Sequence, residues 1–245
     1  MIAEKFLLTP SKDRRQQLLS AYYQNHHQNR NIGESKDDHK KVQFFLDKIQ
    51  EWKKASKIED VTAVDLGCRG GALTTQLDSV ASWIGFDIDP DAVKQAQAKG
   101  IPCDLLDISV NIDLTSAAFD VVMLTEVLEH LPYPAITVKE IHRILKKGRK
   151  SGLFCGSVPI DYNLHQRIRV ARGQRVEKDP THLHSFSFEE LDTLLKHYFD
   201  NVEYLPLRGT ATRHPWLPYK HFVRDIAWVA SNPKKKTDPW QVRII

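Results

Sequence analysis

The chain has 245 residues, of which 41% are apolar and 27% charged, and a formal net charge of +4, the make-up of an ordinary globular protein with a core of its own. That charge is too mild to demand a polyanionic partner, no apolar run approaches the roughly 18–20 residues of a membrane span, and the opening MIAEKFLLTPSKDRR lacks the apolar stretch and cleavage site of a secretory signal. Three scattered cysteines, Cys68, Cys103 and Cys155, form neither a metal spacing nor a disulfide framework, so a cytoplasmic location is expected.

Residues 1–35 are polar and rich in glutamine and asparagine; they read as a weakly ordered arm with one short helix around Arg14–Tyr23. Val42, Phe45, Leu46 and Ile49 recur at helical spacing and predict an amphipathic helix ending near Trp52. From residue 61 short apolar runs alternate with helical patterns. TAVDLG predicts a strand and ALTTQL the helix after it. WIGFDI predicts a second strand, followed by a helix capped by Asp89, opened by Pro90 and stopped by Gly100. PCDLLDI and FDVVMLT predict the third and fourth strands. A helix from Ala135 turns Val138, Ile141 and Leu145 inward and is expected to end on Lys146, Lys147 and Gly148. GLFCGSVP predicts the fifth strand. An irregular basic stretch, Tyr162–Pro180, comes next. Ser187 and Glu190 then form a capping box for a helix carrying Leu191, Leu194, Leu195, Tyr198 and Phe199. NVEYLPL and FVRDIAWVA predict two last strands, and PKKKTDPWQVRII reads as a tail.

This alternation predicts an α/β fold, a doubly wound sheet with helices on both faces. The expected organisation is an N-terminal arm and helix over residues 1–57 acting as a cap, a main domain over 58–232 with a basic insertion at 160–182, and a tail over 233–245. In such sheets ligands bind at the carboxyl ends of the strands. The first strand ends in Asp65, Gly67, Gly70 and Gly71, the second in Asp87, the third in Asp107, and the fourth in Thr125, Glu126, Glu129 and His130. Each group alone has a bland explanation: a tight turn, a helix cap, a solvated loop. Four consecutive strand ends furnished in this way exceed what packing requires. Asp87 also stands 22 residues after Asp65, close to the roughly 20-residue offset of a ribose-binding acid. A nicotinamide dinucleotide fits poorly, because a G-x-G-x-x-G turn would place Arg69 and Ala72 where its second and third glycines belong.

The segments VDLGCRGG, GFDID, CDLLDI and FDVVMLTEVLEHLPYP, in this order and spacing, resemble the class I S-adenosylmethionine-dependent methyltransferases over about residues 60–200. Within them the chain is most similar to the group with an EVLEHL-type fourth motif and a later segment like DPTHLHSFSFEEL. The resemblance implies a Rossmann-like seven-stranded sheet with the last strand antiparallel, and S-adenosyl-L-methionine as cofactor. It implies that Asp65 contacts the cofactor's amino group, and that Gly67 and Gly71 let the backbone approach its methionine portion, with Cys68 and Arg69 in the same turn. Asp87, followed by Ile88, would bind the ribose hydroxyls. Asp107 would accept from the adenine amino group and Ile108 pack on the ring, while Thr125 and Glu126 lie beside the sulfonium. Arg69 replaces the family's middle glycine. It is expected to keep ordinary backbone dihedrals, with Gly70 absorbing the awkward turn.

Glu126, Glu129 and His130 stand at i, i+3 and i+4 and would share one face of a helix. With His182, and His184 beside it, they form a candidate divalent-metal set. The resemblance extends here to the metal-dependent branch, which includes small-RNA 2′-O-methyltransferases and an O-methyltransferase of ubiquinone biosynthesis. The alternative is that these groups cap the helix and brace the pocket floor. Methyl transfer needs an aligned nucleophile and a dry site, helped by a general base when the nucleophile is a hydroxyl. His130, His182 and Glu126 are the candidate catalytic residues. Arg167, Arg169, Arg172, Arg175 and Lys178 follow the fifth strand and either recognise an acidic substrate or form a solvated loop. The resulting expectation is methylation of a small-molecule acceptor, at oxygen. A metal-assisted RNA 2′-O-methyltransferase and a catalytically silent cofactor-binding module stand as alternatives; mild charge and the lack of an RNA module disfavour nucleic acid.

Overall fold

The computed structural model describes residues 14–28, 38–148, 150–176 and 179–235. The rest of the arm, Lys178 and the tail from residue 236 lie outside the described residues. In chain order the elements are α1 (Arg14–Gln28), α2 (Asp38–Ser56), β1 (Thr62–Leu66), α3 (Ala72–Gln76), β2 (Ser82–Asp87), α4 (Pro90–Ala98), β3 (Cys103–Leu105), β4 (Val121–Thr125), α5 (Pro134–Ile144), β5 (Leu153–Pro159), α6 (Leu164–Ala171), α7 (Phe188–Tyr198), β6 (Phe199–Arg208), α8 (Tyr219–Phe222) and β7 (Asp225–Pro233). The seven strands form one sheet in the order β3-β2-β1-β4-β5-β7-β6. Strands β1 to β5 pair in parallel, and β7 runs antiparallel to both β5 and β6.

Both faces of the sheet are covered, which is why its central strands are apolar almost throughout. The strand period of two sorts their side chains into two cores. Val64, Leu66, Val122, Leu124 and Phe154 face α5 and α7, meeting Val138, Ile141, Leu191 and Leu195. Their neighbours Ala63, Val121, Met123 and Cys155 face α2, meeting Val42, Phe45 and Ile49. The strand order reverses at β1, with β2 on one side and β4 on the other. That reversal opens a crevice above the carboxyl ends of these strands.

Several helix boundaries follow the sequence chemistry. Asp89 caps α4 by accepting from the Asp91 N–H, and Pro90 sits in its first turn. Ser187 and Glu190 form a reciprocal capping box on α7. Three expectations need correction. The Tyr162–Pro180 stretch is not wholly irregular: α6 forms there because Asn163 caps it, accepting from the Gln166 N–H. α1 runs on to Gln28 rather than ending near Tyr23. α5 stops at Ile144, before the basic run, because Leu145 turns into a parallel bridge with Phe119. Lys146 then pairs with Asp120 at 2.7 Å. The long β3–β4 connection is held by Arg143, whose guanidinium donates to the Ile112 and Leu114 carbonyls and to Ser116.

Candidate active site

The turn after β1 is fastened to the end of β2. The Gly67 and Cys68 N–H groups both donate to the Phe86 carbonyl, at 2.7 and 3.0 Å, and the Arg69 N–H donates to Asp87 Oδ2 at 2.8 Å. Gly67 and Gly71 take left-handed φ of +76° and +69°. A Cβ would meet Val127 Cγ2 at 2.4 Å from the first and Ile101 Cδ1 at 2.3 Å from the second, so both positions require glycine. Arg69 departs from expectation: its φ is 51°, the left-handed region, and Gly70 shows no positive φ. The turn therefore holds Arg69 against its own preference, with its N–H bond to Asp87 as the local restraint. Cys68 offers its backbone here, since its Sγ lies 3.4 Å from Cys103 Sγ on the buried side.

The three strand-end acids are buried. Asp87 accepts from the Arg69 and Asp89 N–H groups with its two oxygens; half-buried Ile88 follows it. Asp107 accepts from the Ser109 N–H at 2.8 Å and from Arg15 Nε at 2.6 Å, and only 4% of its side chain stays exposed. Ile108 is buried in the larger core. Asp65 Oδ2 accepts from the Thr74 hydroxyl at 2.5 Å, whereas its Oδ1 is buried without a partner. Burial, together with Asp87 nearby, pushes the Asp65 carboxyl up to about 7, against the Thr74 hydrogen bond and the Lys41 charge.

β4 ends at Thr125, paired with Ser157 of β5. Glu126 follows with φ 54° and accepts from the Ser157 hydroxyl at 2.6 Å. Lys41, buried at the start of α2, donates to the same hydroxyl at 3.4 Å. Sequence reasoning missed Lys41, since a lysine in the polar half of an amphipathic helix looks like a solvated one. The segment Leu128–His130 is a single 3-10 turn rather than an α-helix, so the helical-face argument for Glu126 fails. The structure instead brings Glu129, His130 and His182 together, with one ligand-capable atom of each within 4.8 Å of the others. Glu126 stands outside that group, engaged by Ser157. His184 also points away, with Nε2 3.2 Å from the Pro132 carbonyl.

This cluster is built by backbone bonds. The Leu183 and His184 N–H groups both donate to the Glu129 carbonyl, which holds the His182 segment against the turn. His130 Nδ1 lies 3.2 Å from the Thr181 carbonyl, and the carbonyl oxygen fixes that nitrogen as the donor. His130 Nε2 and His182 Nε2 lie 4.0 and 3.9 Å from Glu129 Oε1, and the two rings meet edge to face at 4.7 Å. Glu129 is fully buried, and its Oε2 has no partner. Burial and the Glu126 charge hold its carboxyl well above the usual carboxylate range.

α1 completes the rim. Besides Arg15 on Asp107, Gln24 donates to Asp91 at 2.7 Å, His26 lies 3.7 Å from Asp179, and the Tyr23 ring stands edge-on to His130 at 6.3 Å. No apolar period marks α1 in the sequence, because what it presents to the domain is largely polar.

An open sheet of this order, with an antiparallel strand inserted beside β5 and acids at successive strand ends, is the class I architecture of S-adenosylmethionine-dependent methyltransferases. Residues 64–151 of the chain match the family model described as a methyltransferase domain. A ubiquinone biosynthesis O-methyltransferase of Nitrosococcus oceani is 36% identical over 94 residues, which span 36% of this chain and 40% of that enzyme. The mitochondrial enzyme of the same name from Candida albicans is 30% identical over 129 residues, 48% of this chain and 39% of that one. The chain thus matches about two fifths of the length of these curated relatives. Among solved structures, a SAM-dependent methyltransferase from Archaeoglobus fulgidus superposes with a TM-score of 0.55 at 18% identity, covering 78% of this chain and 94% of that one.

Proposed function

We propose that the chain transfers the methyl group of S-adenosylmethionine to a hydroxyl oxygen of a small-molecule acceptor. The observation that carries this reading is the crescent of Asp65, Asp87 and Asp107 around the Gly67–Gly71 turn, with the Glu129–His130–His182 cluster at its far end. The names of the curated relatives support oxygen as the acceptor atom. No described helix is long and apolar enough to cross a membrane, and three buried free thiols suit a reducing cytoplasm.

The cofactor supplies an already activated methyl group, so the residues of this chain bind, orient and exclude water. Asp87 receives the ribose hydroxyls and Asp107 the adenine amino group. Asp65, half protonated near neutral pH when alone, becomes a full carboxylate opposite the cofactor's ammonium group. Lys41 lies on the same side and suits the methionine carboxylate. His130 and His182, flanking Glu129, accept the acceptor's proton. Arg167, Arg169, Arg172 and Arg175 on and after α6 would favour an acidic acceptor.

The same three residues fit a divalent cation. One carboxylate and two imidazoles make a mixed donor set suited to zinc, manganese or iron, and the partnerless Glu129 Oε2 is the atom a cation would satisfy. Glu129, His130 and His182 would hold it, and it would supply polarisation of the acceptor hydroxyl. Calorimetry with S-adenosylhomocysteine tests the main reading. Wild-type chain is expected to bind and Asp87→Ala to lose at least about tenfold in affinity, as loss of charge-assisted hydrogen bonds implies. A wild-type chain that ignores millimolar-range cofactor would sink the proposal.

A further inference from the structure

We propose that Tyr23 lines the chamber in which the methyl group passes to the acceptor, which makes the N-terminal helix α1 part of the active site. This rests on the cofactor reading above. α1 is fastened across the mouth of the crevice at three places. Arg15 donates to Asp107 beyond β3, Gln24 donates to Asp91 in the first turn of α4, and His26 faces Asp179 in the basic insertion. At ~1.5 Å per residue, Arg15 to His26 is roughly 16 Å of helix, enough to bridge from the adenine side to the acceptor side.

Within that span Tyr23 points at the cluster. Its ring lies edge-on to His130 at 6.3 Å, and His130 lies edge-on to His182 at 4.7 Å. The chain neighbour of Tyr23, Gln24, is tied to Asp91, beyond the end of β2, while the Tyr23 ring itself meets His130, beyond the end of β4. In the sheet order β3-β2-β1-β4, a side chain held between the ends of β2 and β4 sits above the end of β1. That is the turn of Gly67 to Gly71, where the methionine portion of the cofactor approaches. A tyrosine phenol keeps its proton at neutral pH. A neutral phenol offers a lone pair and a ring to a cationic methyl-bearing centre without adding another charge to an acidic site.

Two ligands separate the chamber from the rest of the cofactor site without needing the acceptor. Sinefungin carries an ammonium group where the cofactor carries its methyl; S-adenosylhomocysteine carries nothing there. Calorimetry would be run on the full chain with Tyr23→Phe and Tyr23→Leu, and unfolding midpoints would confirm that each variant is folded. S-adenosylhomocysteine affinity should stay within about threefold of wild type. Sinefungin affinity should fall about tenfold in Tyr23→Phe and further in Tyr23→Leu, as loss of a hydrogen bond to a charged group and then of the ring predicts. An unchanged ratio of the two affinities, whether both fall or neither does, overturns the assignment of Tyr23. A wild-type chain that binds neither ligand overturns the cofactor reading, and this inference with it.

Discussion

The turn after β1 holds two adjacent glycines that should respond very differently to a methyl group. At Gly71, alanine must adopt φ near +69° and place its Cβ 2.3 Å from Ile101 Cδ1, a buried side chain wedged beside Ala96. The left-handed backbone costs about 1 kcal/mol, and forcing a methyl into a filled core costs about 1–3 kcal/mol more. The expected loss for Gly71→Ala is therefore about 2–4 kcal/mol, or roughly 4–16 °C in the unfolding midpoint of a chain this size. At Gly70 no positive φ is required, and the added Cβ meets the end of the Gln95 side chain at 2.8 Å, which can swing aside. Reduced freedom of the unfolded chain returns about 0.4–1 kcal/mol, so Gly70→Ala should raise the midpoint by roughly 1–4 °C. Thermal unfolding followed by circular dichroism on the two variants decides the matter. Equal losses, or a neutral Gly71→Ala, would refute the geometric account of the turn.

Other variants probe the acids and the loop. The raised Asp65 pKa of about 7 favours the protonated carboxyl in the folded chain, so its stabilising share is complete below the unfolded value near 3.9 and is lost as pH rises towards 7. Asp65→Asn should accordingly raise the unfolding midpoint at pH ~8 and do little at pH ~4; a gain of the same size at both would contradict the shift. Arg143→Ala releases the Ile112 and Leu114 carbonyls and should cost about 2–3 kcal/mol in urea unfolding, whereas a loss below about 0.5 kcal/mol would show that the β3–β4 connection holds itself. If Glu129, His130 and His182 hold a cation, added zinc or manganese should raise the midpoint of the wild-type chain and leave His182→Ala unmoved. No rise in wild type removes the metal reading while leaving the histidines as bases.

What the sequence disclosed and what it hid follow from how far each signal reaches. Strands β1 and β4 are legible because burial on both faces leaves runs such as AVDL and VVML with no competing pattern. Asp65, Asp87 and Asp107 are legible because carboxyl ends of strands are where such a fold gathers polar groups. The EVLEH motif misleads: i and i+3 spacing suggests one helical face, yet Glu126 follows the end of a strand with a left-handed φ and only the next residues turn. His182 comes to Glu129 through long-range backbone bonds, which no local spacing encodes. Lys41 and Tyr23 are hidden for a related reason. Each is a polar residue on an N-terminal helix, and its use depends on which part of the sheet that helix crosses.

Asp107 is sealed in this structure, one oxygen on the Ser109 N–H and the other on Arg15. On the proposed cofactor reading, adenine reaches Asp107 only once Arg15 has parted from the carboxylate, and the pair re-forms when spent cofactor has left. Cofactor entry then waits on the release of Arg15, a step separate from methyl transfer itself. A residue on a helix outside the sheet thus sets when the strand-end acid is open to a ligand.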